Sequence, residues 1–140
     1  LLNKIEKVKK MKIIKTLFSR CQKIKYIDQT YKIYNFFGNY FDAIVEKLMA
    51  LTGSEKIACP AVISRYVGEV LNQIPSPSDK GSREIAEISL GLIIEHLKEV
   101  ERAYEDFEKF EIMTKGMDDL LASNYNEMET FVYFLQRKLK

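Results

Sequence analysis

Residues 75–100 read PSPSDKGSREIAEISLGLIIEHLKEV, and this stretch joins turn chemistry to the longest helical pattern in the chain. Its two prolines cannot lie inside a helix, because proline lacks the backbone N–H and its ring clashes with the preceding turn. Ser78 and Asp79 are residue types that cap helix N-termini. From Ile85 onward apolar residues recur every three or four positions, which is the spacing of one helix face. We therefore expect a helix that follows this cap and runs to about Phe110.

The same turn has the composition of an anion-binding site. A helix capped here leaves the N–H groups of Lys80, Gly81 and Ser82 without intrahelical partners, and such a helix start carries partial positive charge. Lys80 and Arg83 add two full positive charges. Phosphate groups bind at helix starts of this kind. The alternative is a capped turn that only joins two helices, and residue types alone leave both interpretations open.

Helical spacing of apolar residues extends over most of the chain. Gly53 is expected to end one helix, Pro60 to begin the next, and Lys115-Gly116 to interrupt the pattern after the longest one. Because no strand-like alternation stands out, the sequence predicts an all-α, single-domain bundle of about six helices over residues 1–140. The predicted helices are 1–25, 27–51, 61–74, 85–110, 117–121 and 128–139, with a polar turn at 122–126.

The predicted core face of the second helix begins with aromatic residues. Tyr31, Tyr34 and Phe37 are spaced three apart, and Phe41 and Ile44 continue the stripe. Aromatic residues at this spacing are typical of a buried helix face rather than of a base-stacking platform. The first helix is expected to place its lysines on the opposite side from its apolar stripe.

The composition is that of an ordinary folded domain. Hydrophobic residues make up 46% of the 140 residues and charged residues 30%, which suits one domain with its own core. No apolar run approaches the roughly 20 residues that span a bilayer, so no membrane partner is expected. Cys21 and Cys59 do not form a disulfide framework or a metal site, and two thiols suit a reducing cytoplasm.

Charge is unevenly distributed along the chain. The net charge is +2, but residues 1–25 hold nine Lys and Arg against one Glu, a local charge of +8. A basic N-terminal helix or arm on an acidic body suggests contact with a polyanion or with an acidic partner surface. The alternative is a solvated helix face.

Motifs of catalysis are missing from the sequence. There is no Walker-type glycine-rich loop, no zinc-ligand spacing and no signature of a nucleophilic dyad. His96 is the sole histidine, and we interpret it as structural. Asp118 and Asp119 point to different sides of a helix, which disfavours a shared metal ion. We therefore predict that the chain is not an enzyme.

From Cys59 onward, the order of motifs resembles the C-terminal helical domain of the large subunit of archaeal and eukaryotic primases, over about half of the chain. In that family, a Pro/Cys-containing helix leads to a His-Gly-Gly-Arg-like turn, an amphipathic helix, an aromatic and acidic segment, and a Tyr-Asn element. The matching parts here are Cys59-Pro60, a helix ending at Leu71, Lys80-Gly81-Ser82-Arg83, a helix beginning Glu84-Ile85-Ala86, the segment 103–110, and Ser123-Asn124-Tyr125-Asn126.

The chain departs from the family in its cysteines. The family domain holds an iron–sulfur cluster with four cysteines, and Cys59 is the only counterpart here, so the resemblance implies no cluster and no other cofactor. Lys80 stands where the family has histidine, and Ser82 stands where it has the second glycine. A relative without the cluster is similar to the small noncatalytic third subunit of crenarchaeal primases.

The resemblance implies a site for a nucleoside triphosphate, the one that becomes the first residue of the primer. Arg83 matches the family's triphosphate-binding arginine, and Lys80 replaces its histidine. The implied nucleotide-binding residues are Arg83, Lys80, Ser82, Gly81, Ser78, Tyr125 and Asn126.

Three functions follow from the sequence as hypotheses. The first is a noncatalytic accessory subunit that binds the initiating nucleotide, with the primase catalytic and large subunits and template DNA as partners. The second is a helical-bundle interaction protein, similar to viral inhibitors of apoptosis or signalling, that binds an amphipathic partner helix in a groove. The third is a small subunit that bridges nucleic acid through the basic arm.

Overall fold

The computed structural model of the chain describes residues 12–28, 30–55, 59–73 and 76–140. Within these ranges the backbone forms helices and turns and no strand, so the all-α prediction is confirmed. The helices are α1 (Lys12–Ile27), α2 (Tyr31–Thr52), α3 (Pro60–Leu71), α4 (Ser82–Lys109) and α5 (Lys115–Leu139), and a short 3₁₀ turn (Pro77–Asp79) precedes α4.

Four of these helices form a bundle in the order α1, α2, α5, α4 around a common core. Short connections join α1 to α2 and α4 to α5 as antiparallel hairpins, which is the usual outcome of short helix–helix loops. Helices α2 and α4 lie diagonally across the core, and the long crossover between them contains α3, which packs against α1. No helix in the described ranges is both long and apolar enough to cross a membrane.

Local chemistry accounts for the helix boundaries. Gly53 ends α2 in the left-handed conformation (φ 66°), and its N–H donates to the carbonyl of Met49 at 2.8 Å. Glycine takes this conformation without the steric cost of a Cβ. Thr114 begins α5, since its side chain accepts a hydrogen bond from the N–H of Met117 at 3.1 Å. The predicted roles of Gly53 and of Pro60, the first residue of α3, are confirmed.

The predicted interruption within the last helix is wrong. Residues 115–139 form one continuous helix that includes the predicted polar turn at 122–126, while the predicted break after the longest helix lies at 110–114, just before Lys115-Gly116. Its polar residues find partners inside the helix: Asn124 Nδ2 donates to the carbonyl of Leu120 at 2.6 Å, and Ser123 Oγ donates to that of Asp119 at 2.7 Å. The described residues therefore contain five α-helices where the sequence predicted about six.

The first part of the predicted aromatic stripe is not in the core. Tyr31 is 82% exposed and Tyr34 is 40% exposed, whereas Ile33 and Tyr40 are buried. Phe37 and Ile44 are buried as predicted, and Tyr40 lies between them on the observed face, so the core face overlaps the predicted stripe but leaves out its first turn. Two tyrosines are therefore left at the surface at the start of α2.

Part of the predicted basic segment is a core element. From Lys12 onward the chain forms α1, in which Leu17, Cys21 and Ile24 are buried. Residues 1–11 of the predicted helix or arm lie outside the described residues. The described part of the segment therefore contributes to the bundle through its apolar face.

Candidate functional site

The turn before α4 is built as two successive elements. Ser76 caps the 3₁₀ turn, because its side chain accepts a hydrogen bond from the N–H of Ser78 at 3.3 Å. The N–H of Lys80 then donates to the carbonyl of Pro77 at 3.1 Å and closes this turn. The expectation that Ser78 or Asp79 caps the long helix is therefore wrong, since both residues belong to the 3₁₀ turn.

Helix α4 begins after Gly81, which has extended backbone geometry (φ −73°, ψ 164°) and no side chain to act as a cap. The first intrahelical bond runs from the N–H of Ile85 to the carbonyl of Gly81 at 3.0 Å. The N–H groups of Ser82, Arg83 and Glu84 are thus the unpaired donors of the helix start. The predicted helix N-terminus is present, but its donors lie two residues further along the chain than expected.

The two cations of the turn are engaged by glutamates one helical turn away. Lys80 Nζ lies 3.2 Å from Glu84 Oε1, and Arg83 Nε lies 3.4 Å from Glu87 Oε1. Arg83 Nη2 also donates to the carbonyl of Leu139, the last residue of α5, at 2.9 Å. Both carboxylates are more than half exposed, and i,i+4 ion pairs of this kind contribute only about 0.3–0.5 kcal/mol. A multivalent anion can displace them.

Acidic residues also set the charge of this turn. Residues 79–87 contain three acids and two bases, a local charge of −1. The partial charge of the helix start and the two side-chain cations therefore act against a slightly acidic background. We expect any anion bound here to be held weakly and to be released by salt.

A groove of ≈ 430 Å³ adjoins the turn and runs toward the end of α1. This volume lies within the roughly 300–1,000 Å³ of small-molecule sites. Its walls combine apolar side chains and hydroxyls, so it suits a ligand with a flat apolar part and polar edges. The lining residues are Tyr26, Ile27, Thr30, Ser76, Pro77, Ser78 and Ile85.

The structure does not bring Tyr125 and Asn126 to this turn. Tyr125 Oη donates to Glu101 Oε1 at 2.9 Å, and Glu101 is 18 residues further along α4 than Arg83. At 1.5 Å per residue, this separation is about 27 Å along the helix. Asn126, the next residue of α5, is exposed. Of the predicted set, only Ser78, Lys80, Gly81, Ser82 and Arg83 lie together.

A buried polar cluster was not anticipated from the sequence. Cys21 Sγ of α1 lies 4.0 Å from Nε2 of His96 of α4, and the rings of Phe37 and Tyr40 meet the imidazole edge-on at 5.7 Å. Burial lowers the pKa of His96 to about 3, with a further contribution from the charge of Arg20. Burial also raises the pKa of the Cys21 thiol.

These shifts define what the Cys21–His96 pair can do. At neutral pH the thiol and the imidazole are both uncharged, whereas a nucleophilic dyad needs a thiolate beside a base that accepts its proton. The pair therefore packs as part of the core, in line with the structural role predicted for His96. Because the two residues are 75 positions apart, no local motif could reveal their contact.

One acidic residue of α4 is buried. Glu99 pairs with Arg102 and, at 3.8 Å, with Arg20 Nη2. Arg20 further contacts Glu95 Oε2 at 2.7 Å. This network ties α1 to α4 at the edge of the Cys21–His96 contact.

Comparison of the chain with protein-family models, with curated proteins and with solved structures found no match.

Proposed function

We propose that the chain is a noncatalytic accessory subunit of a cytoplasmic DNA primase, which binds the initiating nucleoside triphosphate and promotes RNA primer synthesis. The observation that carries this proposal is the start of α4. Three unpaired N–H groups lie there beside Lys80 and Arg83, next to the 430 Å³ groove.

Each part of a nucleotide has a matching feature at this site. The triphosphate binds the N–H groups of Ser82, Arg83 and Glu84, which offer the positive end of the helix. The Arg83 guanidinium, freed from Glu87, contributes a planar fork that matches phosphate oxygens. The base or ribose lies in the adjoining groove, against Tyr26 and the hydroxyl of Ser78.

Such a subunit promotes the reaction by positioning the initiating nucleotide. It forms no bond itself; it holds the first nucleotide close to the catalytic subunit, so that an encounter of two nucleotides becomes a positioned reaction. The primase catalytic and large subunits are its protein partners. Template DNA contacts the basic side of α1, where Lys15 and Lys23 line a groove that also contains Glu69 of α3 and Glu95 of α4.

Nucleotide binding tests the proposal directly. Fluorescence anisotropy with labelled ATP and GTP at low salt should show saturable binding that falls about tenfold or more in Arg83→Ala, because a hydrogen bond to a charged group contributes about 1.5–3 kcal/mol. Lys80→Ala should also weaken binding. Lys98→Ala is the matched control, since it removes an exposed lysine of the same helix away from the turn.

Primer synthesis is the functional readout. Adding the chain to purified catalytic and large subunits should increase the number of primers started, and Arg83→Ala should remove that increase. If Arg83→Ala and Lys80→Ala bind nucleotide and support initiation as the wild type does, the proposed function is wrong.

A second candidate function, binding of an amphipathic partner helix, is favoured by a different surface. An apolar groove of ≈ 550 Å³ lies between the start of α2 and the end of α5. Grooves between helices are a recurring mode of helix recognition.

A further inference from the structure

Exposed aromatic side chains are concentrated at one end of the bundle. Among the described residues, the large hydrophobic side chains that are exposed are Tyr31 (82%), Tyr34 (40%), Tyr133 (51%) and Phe134 (58%). The first two lie on the first turn of α2, and the last two lie near the end of α5. Scattered apolar residues are normal at a surface, but a contiguous apolar patch marks an interaction site.

Two of these four side chains, Tyr31 and Phe134, line the 550 Å³ groove, which we call the aromatic groove. One wall is the first turn of α2 and the other is one face of α5, from Glu127 to Lys138. These 12 residues are separated by 11 rises of the helix, a length of about 16 Å, which matches three turns of a partner helix. The apolar lining residues are Tyr31, Ile33, Phe131, Phe134 and Leu135.

The lining of this groove is net positive, with two lysines and one glutamate. Lys32 and Lys138 line it on opposite walls, and Arg137 and Lys140 lie on the same end of α5; Glu127 is the acidic residue of the lining. The start of α2 does not add to this charge, because the Asp28 carboxylate lies there and accepts hydrogen bonds from the N–H of Thr30 at 3.0 Å and from its hydroxyl at 2.5 Å.

We propose that the aromatic groove binds an amphipathic helix of another protein whose apolar face is flanked by carboxylates. This inference rests on the second candidate function and adds the chemistry of its partner. The apolar face covers Phe134 and Tyr31, and the carboxylates of the partner pair with Lys32 and Lys138.

The charge of the groove favours an acidic partner helix over two other possible ligands, residues 1–11 of the same chain and a second copy of the chain. Residues 1–11 of the same chain carry four lysines and one glutamate, a charge of +3, so they would meet a basic rim. A second copy of the chain would bring two basic rims together. Like charges across an interface disfavour both arrangements.

Designed peptides test the inference on the full chain. Three helical peptides of about 16 residues share one leucine face and differ only in the flanking positions, which are Glu, Gln or Lys. Fluorescence anisotropy at low salt should show the Glu peptide binding about fivefold more tightly than the Gln peptide, and the Lys peptide more weakly still, as expected for two ion pairs of about 0.5 kcal/mol each.

Two variants locate the binding. Phe134→Asp should abolish binding of the Glu peptide, and because Phe134 is more than half exposed, circular dichroism should show an unchanged fold. Glu105→Ala, on the exposed side of α4, is the control and should bind as the wild type does. The double variant Lys32→Glu/Lys138→Glu should reverse the preference, so that the Lys peptide binds more tightly than the Glu peptide.

The possible results distinguish a wrong partner chemistry from the absence of helix binding, the function on which the inference rests. If all three peptides bind equally and Phe134→Asp abolishes binding, the groove binds helices but the acidic partner is wrong. If none binds, both are wrong. A photo-crosslinking amino acid at position 134 should capture the Glu peptide; capture of residues 1–11 or of a second copy in its place would overturn the inference.

Discussion

Acid should destabilise the chain through its single histidine. His96 is buried between α1, α2 and α4, and its pKa is lowered from the ordinary 6.5 to about 3. Between these two values the unfolded chain binds a proton that the folded chain rejects. The free energy of unfolding therefore falls as pH decreases below 6.5, and this loss levels off near pH 3, where the folded state is protonated as well.

The size of the effect follows from the shift. One proton corresponds to about 1.36 kcal/mol per pH unit, so the 1.5 units between pH 6.5 and pH 5 cost about 2 kcal/mol. That is a large share of the roughly 5–15 kcal/mol that stabilises a typical domain. Aspartate and glutamate side chains titrate mostly below this range, so the interval from pH 7 to pH 5 isolates the histidine.

The assay is urea denaturation followed by circular dichroism at pH 7, 6 and 5, on the wild type and on His96→Gln and His96→Leu. Repacking against Phe37 and Tyr40 changes the free energy of unfolding of each variant by an amount that does not depend on pH. The informative quantity is the change in the free energy of unfolding with pH, which should be large for the wild type and close to zero for both variants. If the free energy of unfolding changes with pH to the same extent in the wild type and in both variants, the assignment of a lowered pKa to His96 is refuted.

Three other changes have expected outcomes. Ser89→Ala should raise the free energy of unfolding by about 1 kcal/mol in urea denaturation, because the Ser89 hydroxyl is buried without a hydrogen-bond partner; a loss of stability would contradict this. Glu87→Gln should tighten nucleotide binding about twofold in anisotropy by freeing the Arg83 guanidinium, and unchanged affinity would show that the ion pair does not compete. Gly53→Ala should lower stability by about 1 kcal/mol because of the positive φ, whereas Gly91→Ala, on the open side of α4, should raise it by a similar amount; equal effects would contradict the backbone argument.

The helices could be predicted because apolar spacing reports burial directly. Helix α4 shows this well, since Leu92, Ile93 and Val100 of the predicted stripe are buried. The continuity of α5 could not be predicted from residue types. Ser123 and Asn124 favour turns in isolation, but here their side chains bond to carbonyls four positions back and the helix continues through them.

The candidate site was predicted only in part. Arg83 and Lys80 lie at a helix start as expected, because the charges and the helix start are local features of one short segment. The neighbouring groove could not be predicted, since it forms only when the end of α1 meets the start of α4. The exposure of Tyr31 was missed for a related reason: spacing defines a stripe, but the packing of other helices decides where along the stripe the core ends.

The two proposed binding surfaces meet at one end of the bundle. Thr30 lines both the groove beside the α4 turn and the aromatic groove. Arg83 also donates a hydrogen bond to the carbonyl of Leu139, the last residue of α5, and Phe134 belongs to the same helix. A triphosphate that engages Arg83 competes with this bond and so acts on the end of α5. Because linkage between sites is reciprocal, a protein docked on α5 changes nucleotide affinity by the same factor that nucleotide changes the docking.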